Sequence, residues 1–276
     1  MTSASGGLAG QVAIVTGGGR GVGLGVVETL AEAGMSVAVV GRSEREIERA
    51  AGAARRGGAA AVAITTDVTS SSGVQRMVDD VLARFGSIDL LVNNAGRAQA
   101  VGQPWETDPE NWWTDVEVNL RGTFLCARAV LPSMVERGCG RIVNVVTLAA
   151  IGPFPYASAY ASAKAAVLHL TESLAAATHA HGVSVFAISP GLVRTNLLDD
   201  LANSAEGRRW LPELQARPAE DYVSPAAAGH LVAGIASGRA DRLSGRFIHV
   251  SDDLGELIAG ADDIIENDRR VLRMTQ

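Results

Sequence analysis

Gln11-Val12-Ala13-Ile14-Val15-Thr16-Gly17-Gly18-Gly19-Arg20-Gly21-Val22-Gly23-Leu24 is a short apolar run that breaks into glycines and resumes with helical spacing. Gln11–Thr16, apolar without alternation and bounded by glycine, reads as a strand buried on both faces. Gly21–Ala33 reads as the helix that follows, stopped at Gly34. The turn between them has the spacing Thr-Gly-x-x-x-Gly-x-Gly. Glycines there allow a tight turn and close backbone approach to a diphosphate, whose charge sits at the helix N-terminus. A glycine-rich turn without a ligand is the plain alternative.

Outward from that turn the alternation repeats. Strands are expected at Ser36–Val40, Ala60–Thr65, Ile88–Val92, Arg141–Val146, Val183–Ile188 and Arg246–Val250. Helices are expected at Glu44–Arg56, Ser70–Phe85, Asn111–Arg137, Tyr156–Ala180 and Pro225–Ser237, with Ser70–Ser72 as caps for the second of these. Strand–helix alternation predicts a parallel sheet covered by helices on both faces, a doubly wound Rossmann-type α/β fold. The 276 residues contain no linker-like break, so a single domain over 1–276 is expected, with its core at about 8–250 and a charged tail at 251–276.

Composition narrows the partners. Apolar residues make up 47%, with 31 glycines and 4% aromatics, a globular and turn-rich balance. A net charge of −6 leaves no basic field to draw nucleic acid or an anionic membrane. Cys126 and Cys139 form neither a disulfide framework nor a metal spacing, so no metal is expected. Met1–Gly10 lacks a charged and apolar leader pattern, and no run approaches 18 strongly apolar residues. A cytoplasmic protein with neither nucleic acid nor membrane as partner is expected.

The end of the second strand discriminates between cofactors. A carboxylate there would accept both hydroxyls of an adenosine ribose. The sequence instead runs Val39-Val40-Gly41-Arg42-Ser43, and Arg20 lies inside the glycine loop. Two guanidiniums without a carboxylate favour a 2′-phosphate, hence NADP(H). Each arginine singly reads equally well as a solvated surface charge. Asp67-Val68 follows the third strand, where the Asp can meet an adenine edge or simply cap a helix. Asn93-Asn94-Ala95-Gly96 closes the fourth strand, either lining a crevice or making a turn. Asn119 falls inside a long helical pattern, where an Asn binds a water or bends the helix. Ser189-Pro190-Gly191 ends the sixth strand and alone says only turn.

Tyr160-Ala161-Ser162-Ala163-Lys164 carries the reactive pattern. Lys164 is the only lysine against twenty-three arginines, and it stands four residues after a tyrosine in an Ala-rich helical stretch. Positions i and i+4 share a helix face. A phenol titrates near ~10 when unperturbed, and a nearby ammonium favours the phenolate, which suits proton exchange near neutrality. An ordinary surface Tyr/Lys pair is the alternative.

In joint order and spacing these motifs resemble the short-chain dehydrogenase/reductase family across roughly Leu8 to Val250. The residues carrying the resemblance are Thr16–Gly23, Asp67-Val68, Asn93–Gly96, Asn119, Tyr160-x-x-x-Lys164 and Pro190-Gly191 followed by Thr195. The resemblance implies that Tyr160 is the general acid/base and that Lys164 lowers its pKa and holds the nicotinamide ribose. It implies that Asn119 holds a proton-relay water. It further implies a cofactor set of Gly17, Arg20, Gly21, Val22, Gly23, Arg42, Asp67, Val68, Asn93, Ala95, Gly96, Tyr160, Lys164, Pro190, Gly191, Val193 and Thr195. A serine that orients the substrate carbonyl is expected about 13 residues before the Tyr, and Thr147 stands there. Threonine keeps the hydroxyl and adds a methyl group. The family's C-terminal Asp-Gly-Gly-like turn is replaced by Val250-Ser251-Asp252-Asp253, and the tail beyond it reads as packing or subunit contact.

The resemblance implies an NADP(H)-dependent oxidoreductase and a homodimer or homotetramer. Residues 192–222 form a long connection of the kind that covers a site. Leu197, Leu198, Trp210 and Leu211, with Gln99, Trp105, Leu148, Phe154 and Tyr156, are its expected apolar wall, hence a hydrophobic ketone or secondary alcohol as substrate. A redox-silent isomerase, dehydratase or cyclase is the alternative enzyme class. A cofactor-sensing binding protein is a third, but it has no use for Asn119, Thr147, Tyr160 and Lys164 together.

Overall fold

The computed structural model describes residues 7–274. The amino-terminal stretch read for a leader pattern lies mostly outside the described residues. Among those described, seven strands form one parallel sheet: β1 (Val12–Thr16), β2 (Ser36–Gly41), β3 (Ala61–Thr65), β4 (Leu90–Asn93), β5 (Gly140–Val145), β6 (Val183–Ser189) and β7 (Phe247–His249). Their order is β3-β2-β1-β4-β5-β6-β7. The chain therefore winds outward from β1 in one direction and then, from β4, in the other. A crevice opens beyond the carboxyl ends of the strands at such a reversal.

The unbroken apolar strands follow from burial on both faces. Ala13 and Val15 of β1 pack with Val26, Val27 and Leu30 of α1 (Gly21–Glu32), Ile47 and Ala50 of α2 (Glu44–Arg56), and Leu231 and Val232 of a late helix, Pro225–Ala236. Val12 and Ile14 point the other way, onto Met77 and Val81 of α3 (Ser71–Phe85) and Val130 and Met134 of a helix at Gly122–Arg137. Each such side chain contributes about 1.5–3 kcal/mol on burial. An Ile14→Asp change would break the second layer. Gly25 and Gly229 let α1 and the Pro225–Ala236 helix approach closely, since a Cβ on Gly25 would lie 2.5 Å from the Pro225 backbone.

One feature departs from the sequence pattern. The single helix expected at 111–137 is α4 (Pro109–Val116), a π-helical turn (Glu117–Arg121) and α5 (Gly122–Arg137). The bend expected at Asn119 is thus a wide turn centred on that residue, and α5 starts hard against Val68, 2.7 Å from where a Gly122 Cβ would stand. The tail folds into two short helices, Leu254–Ala259 and Ala261–Glu266, whose Ala261 and Ile264 join the core around Ile248. Beyond them Arg270 pairs with Asp252, and its carbonyl accepts the Phe247 N–H at 2.9 Å. The tail therefore packs onto the free edge of β7.

Candidate active site

A cleft of about 860 Å³ opens at the carboxyl ends of the strands. Gly17, Arg20, Gly41 and Arg42 line its β1–β2 side, and Thr147, Tyr160, Lys164, Pro190 and Gly191 its β5–β6 side. Val22, Asp67, Val68, Ala95, Gly96, Val193 and Thr195 line it as well.

The glycine loop is held open by sterics. Gly17 and Gly21 have φ of +65° and +54°, the left-handed region that glycine enters freely. A Cβ on Gly17 would lie 2.9 Å from Asn94 Nδ2, and one on Gly21 2.9 Å from Thr195 Cγ2. Gly23 lies beneath the loop, where a Cβ would stand 2.2 Å from the Gly17 carbonyl oxygen. Asn94 Nδ2 donates to the Thr16 and Gly17 carbonyls at 2.9 and 3.1 Å, and Thr16 Oγ1 accepts the Asn94 and Ala95 N–H groups. The amide facing the cleft is therefore Asn94. Asn93, which the sequence placed in the cofactor set, is buried and donates to Asn144 Oδ1 at 2.9 Å, because successive side chains of a strand alternate. Asn144 donates in turn to Thr171 of α6 (Ser158–Thr178).

The β1–β2 side is charged and wet. Arg20 stands 3.7 Å from Glu46, and both side chains are more than a third exposed. A Gly41 Cβ would meet Ile47 at 2.9 Å, so this position leaves little room for a carboxylate. Asp67 Oδ1 accepts from the N–H and hydroxyl of Thr69, while Ser70 caps α3, so the Asp braces a turn rather than the helix. Burial raises the Asp67 pKa, but the Thr69 bonds and the Arg42 charge hold it below the usual range on balance.

The β5–β6 side is dry at its base, while Thr147 and Tyr160 are half-buried at the cleft surface. Lys164 is buried on α6 and its Nζ donates to the Val145 carbonyl at 2.8 Å. Burial brings it down to about 8. Tyr160, one turn earlier, has its ring centroid 5.8 Å from that ammonium. Its phenol is pushed up to about 12 by burial and then by the Asp115 carboxylate. This reverses the direction expected from the sequence: the ammonium is aimed at a carbonyl, and desolvation outweighs its field. Thr147 Oγ1 accepts the Ala149 N–H at 3.3 Å, so the hydroxyl proton is left to donate. Asn119 is fully buried; its Nδ2 donates to the Arg97 and Asp115 carbonyls at 2.5 and 2.8 Å, and its own carbonyl accepts from Thr123 Oγ1. It lies behind the cleft wall.

Residues 192–222 form a closed flap. Val223 N–H donates to the Leu192 carbonyl at 2.9 Å, pinning its two ends, and helices α7 (Asn196–Asn203) and α8 (Ala205–Trp210) fill it. Leu148, Phe154, Leu197 and Leu198 line the cleft as expected. Tyr156 and Trp210 instead stack on each other at 5.0 Å, in a cluster with Leu211. Trp105 is 78% exposed, and neither it nor Gln99 is among the lining residues. Sequence reading missed Leu201 and Leu214, which line the cleft. It also missed the buried Asp115 and Asn144; for Asn144 a polar residue inside the apolar run Ile142–Val146 is the available signal, while Asp115 sits among polar neighbours and gives none.

A doubly wound sheet with a glycine-loop cleft at its reversal defines a dinucleotide-binding oxidoreductase scaffold. The short chain dehydrogenase family profile matches residues 11–206, and the chain belongs to the short-chain dehydrogenase/reductase family, whose members use a nicotinamide cofactor. It is 36% identical over 263 residues to a short chain dehydrogenase of Pseudocercospora fijiensis, covering 92% of this chain and 84% of that one. It is 35% identical to galactitol 2-dehydrogenase of Rhizobium johnstonii, covering 88% and 94%. A solved actinorhodin polyketide ketoreductase variant with NADPH superposes with a TM-score of 0.79 at 31% identity, covering 89% of this chain and 97% of that one. No helix among the described residues is long and apolar enough to cross a membrane. Nor do they contain a group of three potential metal-ligating His, Cys, Asp or Glu side chains.

Proposed function

We propose that the chain is an NADP(H)-preferring reductase that interconverts a hydrophobic ketone and its secondary alcohol. The observation that carries this reading is one cleft with two arginines on its β1–β2 side and a Thr–Tyr–Lys group on its β5–β6 side. The cradle fits a dinucleotide: the positive-φ glycines keep the loop free of side chains, and the free N–H groups at the start of α1 suit a diphosphate. Arg20 and Arg42 would hold the 2′-phosphate, Asp67 and Val68 the adenine side, and Lys164 the nicotinamide ribose. Bound NADP(H) supplies or accepts the hydride.

The chain's own residues handle the proton. With its phenol pushed to about 12, Tyr160 keeps its proton through neutrality and so acts as the acid in ketone reduction. The Thr147 hydroxyl donates to the same carbonyl oxygen and fixes its approach. Phe154, Leu197 and Leu198, with the exposed Leu148 at the rim, give the cleft an apolar wall that favours an apolar substrate. The likeness to a polyketide ketoreductase with NADPH supports carbonyl reduction with NADP(H), and the apolar cleft lining, rather than either relative's name, supports an apolar ketone.

Incubation with NADPH and a panel of ketones tests this, following nicotinamide absorbance and product mass together. Oxidation of NADPH in step with alcohol formation is expected. Product mass changing without cofactor oxidation would assign a redox-silent isomerase or dehydratase instead.

A further inference from the structure

Trp112, Asp115 and Asn119 stand at i, i+3 and i+7 on α4 and the π-helical turn, and each reaches a segment that adjoins the cleft. Trp112 Nε1 donates to Ser158 Oγ at 3.1 Å, two residues before Tyr160. Asp115, which is 0% exposed, accepts the Gln99 and Ala100 N–H groups at 2.9 Å each through Oδ2. Its Oδ1 pairs with Arg97, the residue directly after Gly96 of the cleft wall. Arg97 also donates to the Asn111 carbonyl at 3.1 Å, to Asn111 Oδ1 and to Gln99 Oε1.

Asn119 closes the ring. Its Nδ2 bonds the backbone carbonyls of Arg97 and Asp115, and its Oδ1 accepts the Arg97 N–H at 3.4 Å. Arg97 and Asp115 are therefore joined to one another by their side chains and to Asn119 by their backbones. Gly96 completes the fit, since a Cβ there would lie 3.1 Å from Asn119 Oδ1. Neither charged residue lines the cleft. Stability alone is a weak reason for a buried pair, because apolar replacement of both partners is often neutral or favourable. Fixing one geometry is the stronger reason: the pair ties the loop after β4 to α4 and the π-helical turn, and Trp112 of the same helix reaches Ser158 in the first turn of α6.

We propose that Arg97 and Asp115 are a positioning pair that holds Asn119 and the 97–100 loop in register with Tyr160, so that proton transfer depends on an ion pair outside the cleft. The proposal rests on Tyr160 being the acid/base. Its test compares wild type, Tyr160→Phe, Asp115→Asn and the double variant Arg97→Met/Asp115→Leu, with NADPH and tetralone as probes. The double variant removes both charges and is expected to fold. Its NADPH Kd by fluorescence titration and its KM should stay within about threefold of wild type, while kcat falls on the order of 10–10²-fold, the scale of a misplaced reacting group. Asp115→Asn keeps an acceptor for the Gln99 and Ala100 N–H groups and serves if the double variant does not fold; its kcat should fall in the same direction. Wild-type kcat in either folded variant, alongside an inactive Tyr160→Phe, overturns the positioning role and leaves the acid/base reading standing. An active Tyr160→Phe, or a wild type inert toward ketones, removes that reading and the positioning role with it.

Discussion

On the β1–β2 side of the cleft, Arg20 and Glu46 face each other at 3.7 Å with side chains 51% and 38% exposed. On the β5–β6 side, Lys164 is 4% exposed and donates a hydrogen bond to the Val145 carbonyl, and the wholly buried Asp115 carboxylate acts on the Tyr160 phenol. Water screens the first group, so its contacts are individually weak and exchangeable. The second group sits where charge interactions are several times stronger and unpaired groups cost more. On the function proposed above, the first side grips and releases a charged ligand and the second holds the reacting groups still. Substitutions on the dry side should therefore cost far more than substitutions on the wet side.

The largest loss is expected at Tyr160. Tyr160→Phe keeps the ring and removes the proton, and general acid/base groups contribute ~10²–10⁴-fold. kcat should drop on that scale while NADPH binding, read by fluorescence titration, persists. A Phe variant retaining more than about a third of wild-type turnover, with chemistry limiting, would remove the phenol from the mechanism.

Thr147 should come next. Thr147→Val keeps the shape, loses the hydroxyl and should lower kcat on the order of 10–10³-fold. Thr147→Ser should remain active. Because Thr147 Oγ1 also accepts the Ala149 N–H, Thr147→Val carries a small stability loss as well. If only the melting temperature moved, the hydroxyl would be a local cap and nothing more.

Lys164 links the comparison to pH. Its folded-state pKa of about 8 lies below the unfolded 10.5, so between these values the unfolded chain binds the extra proton. Stability attributable to this group therefore rises as pH rises from about 8 to 10.5, by on the order of 3 kcal/mol in total. Subtracting the urea-unfolding curves of Lys164→Met from those of wild type isolates the effect from other titrating groups. A difference that stays flat over that window would mean the ammonium is better solvated than its burial implies. Ketone reduction should decline as pH passes about 8, where the folded-state ammonium loses its proton, well before a phenol pushed to about 12.

The wet side was the more legible of the two in the sequence. A glycine spacing after an apolar run, or an arginine where a carboxylate would stand, is a local pattern, and repeating the strand–helix unit implies a parallel sheet, though not its strand order. The dry side depends on which way side chains turn. Asn93 and Asn94 are neighbours in an identical motif, yet β4 points one into the core toward Asn144 and the other at the glycine loop. The pairing of Arg97 with Asp115 spans 18 positions and a π-helical turn that no helical periodicity announces. Tyr160 was found by spacing, but the sign of its pKa shift was not, because burial and the Asp115 carboxylate are properties of the folded packing.

The smallest predicted effect is also the one that most directly probes the wet side. Arg42 lines the cleft beside Gly41, where a Cβ would press on Ile47, and its charge reaches Asp67. Arg20 lines the same side but is already engaged by Glu46. Arg42 is thus the guanidinium that the structure leaves less committed, and a 2′-phosphate should draw most of its selectivity from it. A charged hydrogen bond contributes ~1.5–3 kcal/mol, so wild type should prefer NADPH to NADH at least about tenfold in kcat/KM. Arg42→Ala should surrender most of that preference by weakening NADPH, with NADH little changed, and the NADPH contact should weaken further with added salt because the site is exposed. Arg20→Ala should do less, since Arg20 is already engaged by Glu46, although the freed Glu46 carboxylate would repel the phosphate and narrow the difference. Equal kcat/KM for the two cofactors in wild type would end the assignment to NADP(H). A larger loss in Arg20→Ala than in Arg42→Ala would instead move the phosphate toward the glycine loop and show that the Glu46 pair opens on binding.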